Sequence, residues 1–135
     1  MKRALLAAAM VALLSSPAGA DTESDALQGA EVLLALLKDE GDFADRLRVA
    51  GIFQACWLVV PDKLLLPLIP AAERRLPEMF PEADTDRVLM VVFAMVSGFQ
   101  TGMAEGVAAG FRAGSNRDLT CKLASERAAE LLVAR

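Results

Sequence analysis

The stretch VLMVVFAMVSGFQTGMAEGVAAGFRAG, residues 88–114, decides how this chain is read. Gly98, Gly102, Gly106, Gly110 and Gly114 recur at every fourth position, and Ala94 extends the row one step back. Glu105 is the single charge between Arg87 and Arg112. A helix turns about 100° per residue, so each glycine lies roughly 40° round from the last and the row forms a slowly spiralling groove. Phe99, Met103, Val107 and Phe111 make a greasy ridge on one side of it. Ser97, Thr101, Glu105 and Ala109 flank the other side, and Val96, Gln100, Ala104 and Ala108 hold the remaining face.

A glycine inside a helix costs about 1 kcal/mol relative to alanine, so four interior ones cost roughly 4 kcal/mol. Close packing against another element is the natural compensation. The first expectation is that Ala94, Gly98, Gly102, Gly106 and Gly110 receive the second or fourth helix of the same chain. On that reading Gly102→Leu or Gly106→Leu overpacks a close contact and costs several kcal/mol. Two alternatives stay open: packing against a second copy, or insertion of residues 88–111 into lipid, where small residues let helices approach. Gln100, Thr101 and Glu105 weigh against lipid, because an acid at mid-bilayer costs about 2.5–3.5 kcal/mol.

Working outward, residues 1–20 read as an export signal. Met1, Lys2 and Arg3 are a basic start, Ala4 to Leu14 an apolar core, and Ala18, Gly19 and Ala20 fit a small-residue cleavage site before Asp21. The apolar run is shorter than the roughly 20 residues a membrane span needs. The remainder, residues 21–135, is the size of one small domain. Loss of Lys2 and Arg3 leaves 12 of the 14 basic residues against 18 acidic ones, a net charge of −6. So acidic a chain has no electrostatic footprint for nucleic acid or anionic lipid. In a bacterium the compartment is the periplasm, where Cys56 and Cys121 are expected to pair in one disulfide.

The pattern elsewhere is helical throughout. Ala26, Ala30, Leu33, Leu34 and Leu37, widened by Leu27 and Leu36, mark the buried face of a first helix over 26–38, stopped by Gly41. Asp42 is placed to cap a second helix over 43–59, closed by Pro61. Residues 61–83 hold Pro61, Pro67, Pro70, Pro77 and Pro81 and are expected to be irregular, with short turns at 62–66 and 71–76. The long glycine-row helix covers 86–113, capped by Asp84 or Thr85, and a last helix starts near Ser115 or Asn116. The fold class is all-α: a four-helix bundle-like domain with a proline-rich cover, in which the disulfide clamps the long helix between its neighbours.

Chemistry is scarce. The chain has no histidine and no tyrosine, which removes the commonest general base and metal ligand. Ser24, Ser97, Ser115 and Ser125 lack a nucleophile setting. Asp39, Glu40, Asp42 and Asp45 cluster without the ligand order of a calcium loop, and helix capping accounts for them. The glycines do not follow a strand, so they are no phosphate loop. Glu105 is the one candidate functional acid, with Arg46, Arg48 or Arg112 as its expected partner. No catalytic residue, cofactor or metal is assigned. The expectation is an exported binding module working on another protein or on its own copy, with an apolar patch along 64–80. A membrane-associated or self-associating glycine-row protein is the alternative.

Overall fold

A computed structural model describes residues 19–39 and 41–133. The export signal read over residues 1–20 lies outside the described residues as far as position 18, and Gly19 and Ala20 open the first helix. The helices are α1 (Gly19–Asp39), α2 (Phe43–Ala55), α3 (Asp62–Leu65), α4 (Leu68–Met79), α5 (Thr85–Arg112) and α6 (Arg117–Val133). No strand occurs among the described residues, and the protein is all-α with one disulfide, Cys56–Cys121.

The termini of the two C-terminal helices follow local chemistry. The Asp84 carboxylate accepts from the Arg87 amide at 3.2 Å and starts α5, while Asn116 Oδ1 accepts from the Leu119 amide at 3.0 Å and starts α6. Asp42 does not cap α2 as expected. Its carboxylate instead takes the Arg46 Nε–H at 2.9 Å, because a charged partner one turn on competes for it.

Two cores meet along α2. Val32, Leu36, Leu47, Leu76, Val88 and Val92 join α1, α2, α4 and the first half of α5. Val49, Ile52, Phe53, Leu64, Ala128 and Leu131 join α2, α3 and α6. Helix α2 is therefore buried nearly all round, as a helix between two layers must be. This corrects the expected clamp: α2 lies between α5 and α6, and the disulfide ties the end of α2 to α6 rather than enclosing the long helix.

The proline-rich segment is largely helical, against expectation. Pro70 falls in the first turn of α4, where the missing amide has no helical partner to lose. Pro77 falls in the last turn, so a single interior hydrogen bond is forgone. Burial of Leu68, Ala71, Ala72 and Leu76 on one face outweighs that loss. The buried face of α1 is likewise shifted from the expected one, though Leu33 and Leu36 keep their place in it. Val32, Leu33 and Leu36 are buried with Gly29, while Leu27 and Leu34 are 60% and 65% exposed.

The close helix contacts are made by other glycines than those of the row. A Cβ on Gly51 of α2 would stand 2.6 Å from Met103 Cβ and 3.2 Å from the Gln100 carbonyl of α5. One on Gly29 of α1 would stand 2.8 Å from Val91 Cγ1. Gly98, Gly102 and Gly106 would meet nothing within 4 Å, and Gly110 only Ser115 Oγ at 3.4 Å. Internal packing of the glycine row is thus overturned: α5 turns Val88, Leu89, Val92, Val96 and Ala104 inward and the row outward. The penalty expected for leucine at Gly102 falls with it. Instead, Gly51→Ala is expected to cost about 1–3 kcal/mol by forcing α2 from α5. Gly102→Ala and Gly106→Ala should each add up to about 1 kcal/mol of stability. Urea melts of the three variants check both signs, and a stabilised Gly51→Ala would contradict the packing described.

Candidate functional site: an exposed apolar knuckle beside a groove

Helix α2 stops at Ala55, short of the expected end at 59. The Leu58 amide donates to the Phe53 carbonyl at 2.9 Å and the Trp57 amide to the Gln54 carbonyl at 3.2 Å. Those two bonds are a Schellman motif, which requires a left-handed residue between its helix cap and its last donor. That residue is Trp57, at φ 59°. The same motif closes α5, where Ser115 and Gly114 amides donate to the Gly110 and Phe111 carbonyls and the left-handed residue is Gly114 at φ 109°. Glycine adopts that backbone freely, whereas a residue with a Cβ pays about 1–2 kcal/mol. Trp57→Gly is therefore expected to raise stability by about 1 kcal/mol, read as a higher urea midpoint. A lower midpoint would show that the indole contributes to the fold.

The strain is not returned as burial. Trp57 is 87% exposed, Leu58 42% and Val59 90%. The knuckle they form is fixed at its root by Cys56, which is 8% exposed and bonded to Cys121 with Cα atoms 6.0 Å apart. Directly after it the chain enters the wall of a groove of about 380 Å³ between the 60–69 segment and α5. Val60, Leu65, Leu66, Ile69, Phe93 and Val96 supply its apolar walls, and Asp62, Ser97 and Gln100 its polar groups. Gln100 also donates to Gln54 Oε1 at 3.3 Å, bridging α5 to α2. The groove volume is near the lower end of small-molecule sites, roughly 300–1,000 Å³.

The apolar patch expected along 64–80 divides. Leu64, Leu68 and Leu76 are core, while Leu66 and Ile69, 52% and 37% exposed, belong to the groove. Either side of Ser97, the outer face of α5 carries Ala94, Thr101, Gly102, Gly106 and Ala109, with Met90 and Phe99 as its large exposed apolar residues. Glu105 is half-buried on α5 and does not line the groove. Two of its expected partners are engaged elsewhere: Arg46 with Asp42 at 2.9 Å and Arg48 with Asp45 at 2.6 Å. Partial burial pushes the Asp45 carboxyl up, but hydrogen bonds from Arg48 and Arg127 outweigh it and hold the group below its usual range. Among the described residues no three Cys, Asp or Glu side chains converge as a metal would require.

Sequence reasoning missed the knuckle because nothing marks it. No glycine or asparagine signals the left-handed position, and Trp57 continues the apolar period of α2. The protein so defined is a small all-α chain with a single disulfide and an uncovered aromatic knuckle. No family model, curated protein or solved structure matches it.

Proposed function

We propose that this is an exported, non-enzymatic interaction protein, a bundle of four main helices covered by α4, which binds another protein through the Trp57 knuckle and the adjoining groove. The observation that carries the reading is a tryptophan held in a strained, left-handed backbone and 87% exposed. Strain of that kind, kept where glycine would relieve it, marks positions with a task beyond the fold. Tryptophan is also the side chain most enriched at energetic centres of protein interfaces. Export to the periplasm is supported by the basic, apolar and small-residue order of residues 1–20 and by the disulfide, which persists in oxidising compartments.

A photoreactive amino acid in place of Val59, in cells exporting the protein, tests this. A discrete adduct at Val59, absent when the same group replaces the exposed Glu126 and absent after Trp57→Gly, is expected. No adduct above the Glu126 control would end the proposal.

A second reading has its own observation. Helix α5 is 28 residues long, and 28% of its most apolar window is buried, so its glycine face is open to lipid or to a copy of itself. Flotation with neutral phosphatidylcholine vesicles supports the lipid form of that reading, and protein left at the bottom of the gradient removes it.

A further inference from the structure

We infer that the groove is filled by the knuckle of a second copy of this chain, the two copies related by a two-fold axis and each seating Trp57 in the other. The inference rests on the reading of the knuckle as a contact surface and names its occupant. A two-fold contact uses one patch on both copies, so the patch must contain both halves of the fit. Here the convex and concave halves are contiguous: Trp57 and the groove residue Val60 are three positions apart, a reach of no more than about 10 Å. Charge points the same way. Trp57, Leu58 and Val59 carry none, and the groove holds a single charge, Asp62, among apolar side chains. A strongly basic insert finds one counter-charge there, whereas an uncharged apolar insert is matched.

The area is adequate for a reversible dimer. At their exposures of 87, 42, 90, 52 and 37%, Trp57, Leu58, Val59, Leu66 and Ile69 offer about 600 Å² per copy, which brings two copies to the lower bound of stable interfaces at about 1,200 Å². The core of such a patch is an aromatic anchor entering a pocket, with Ser97 and Gln100 available to its polar edge.

Trp57 is the sole tryptophan, so its emission reports on this contact alone. Sedimentation velocity and fluorescence over a concentration series of the purified chain should show a monomer–dimer equilibrium accompanied by a blue shift of the emission. Trp57→Ala removes the insert, and Leu66→Asp or Ile69→Asp spoils the groove. Each is expected to weaken dimerisation at least tenfold with an unchanged circular dichroism spectrum. Mixing Trp57→Ala with Leu66→Asp restores one knuckle–groove contact of the two, so a heterodimer should form where neither variant self-associates. A chain that stays monomeric at all concentrations, or a dimer that survives these changes and is broken by Gly102→Leu instead, overturns the inference. The outcomes separate it from the broader proposal. A Val59 adduct with a different protein on a monomeric chain keeps the interaction surface and discards the second copy.

Discussion

Replacing both cysteines, Cys56→Ala with Cys121→Ala, is expected to lower the unfolding free energy by about 4 kcal/mol. The bridge spans 65 positions of sequence, and tying two points so far apart removes much of the freedom of the unfolded chain. The loss should be carried mainly by that unfolded chain, since alanine suits the apolar site of Cys56 among Val49, Ile52 and Phe53. Urea unfolding distinguishes the two origins. A more open unfolded chain exposes more surface, so the midpoint falls while the slope rises. A midpoint shift worth less than about 1 kcal/mol would show that α2 and α6 hold their register without the bridge. The knuckle provides a second readout. Cys56 is the residue from which Trp57 departs, so cutting the bridge should increase hydrogen exchange at the Trp57 and Leu58 amides more than in α4.

Arg46→Met is expected to cost about 3 kcal/mol, the range for breaking a buried charge network on one side. Arg46 is 3% exposed and donates from all three guanidinium nitrogens, to groups at α2, α3 and α6. Nη1 donates to the carbonyls of Lys63 at 3.1 Å and Leu64 at 3.2 Å, and Nη2 to that of Leu131 at 2.9 Å. Those carbonyls belong to the ends of α3 and α6, where the helix leaves them unpaired and where a cation is favoured. Nε holds Asp42, at the start of α2. Methionine fills much the same space and returns none of these bonds, so buried carbonyls lose their partner. Arg46→Lys should recover part of the loss, because an ammonium retains the charge without the planar fork that reaches three elements. A thermal midpoint unchanged within error for Arg46→Met would mean that water or another group satisfies those carbonyls.

Much of the architecture was legible in the chain. Helical periodicity and Gly41 placed the end of α1 and the start of α2, though α1 begins before position 26 and α2 ends before position 59, and Asp84 and Asn116 announced α5 and α6 to within a residue or two. The pairing of Cys56 with Cys121 followed from there being two cysteines in a chain whose first residues read as an export signal. Local rules failed where burial outweighed them. Five prolines argued against helix over 61–83, yet Pro70 and Pro77 fall within a turn of the ends of α4 and cost little there. Candidate-site reasoning did less well. Glycine spacing pointed to α5 as the close-packed helix, whereas the approach is made at Gly29 and Gly51, which belong to no row.

By itself, the sequence determined most of the elements: the four main helices, the caps at Asp84 and Asn116, and which sulfurs can join. These are matters of backbone geometry and local hydrogen bonding, settled within a few residues of chain. Only the tertiary structure decided which way each helix faces. A row of glycines is equally consistent with a buried groove and an open one, because a missing side chain does not say what stands opposite it. The exposure of Trp57 has the same origin. Its apolar ring suits a core, and it stands outside because the α2 end is fixed by Cys56 and by carbonyls of residues 53 and 54, which leave the ring no neighbour to pack on.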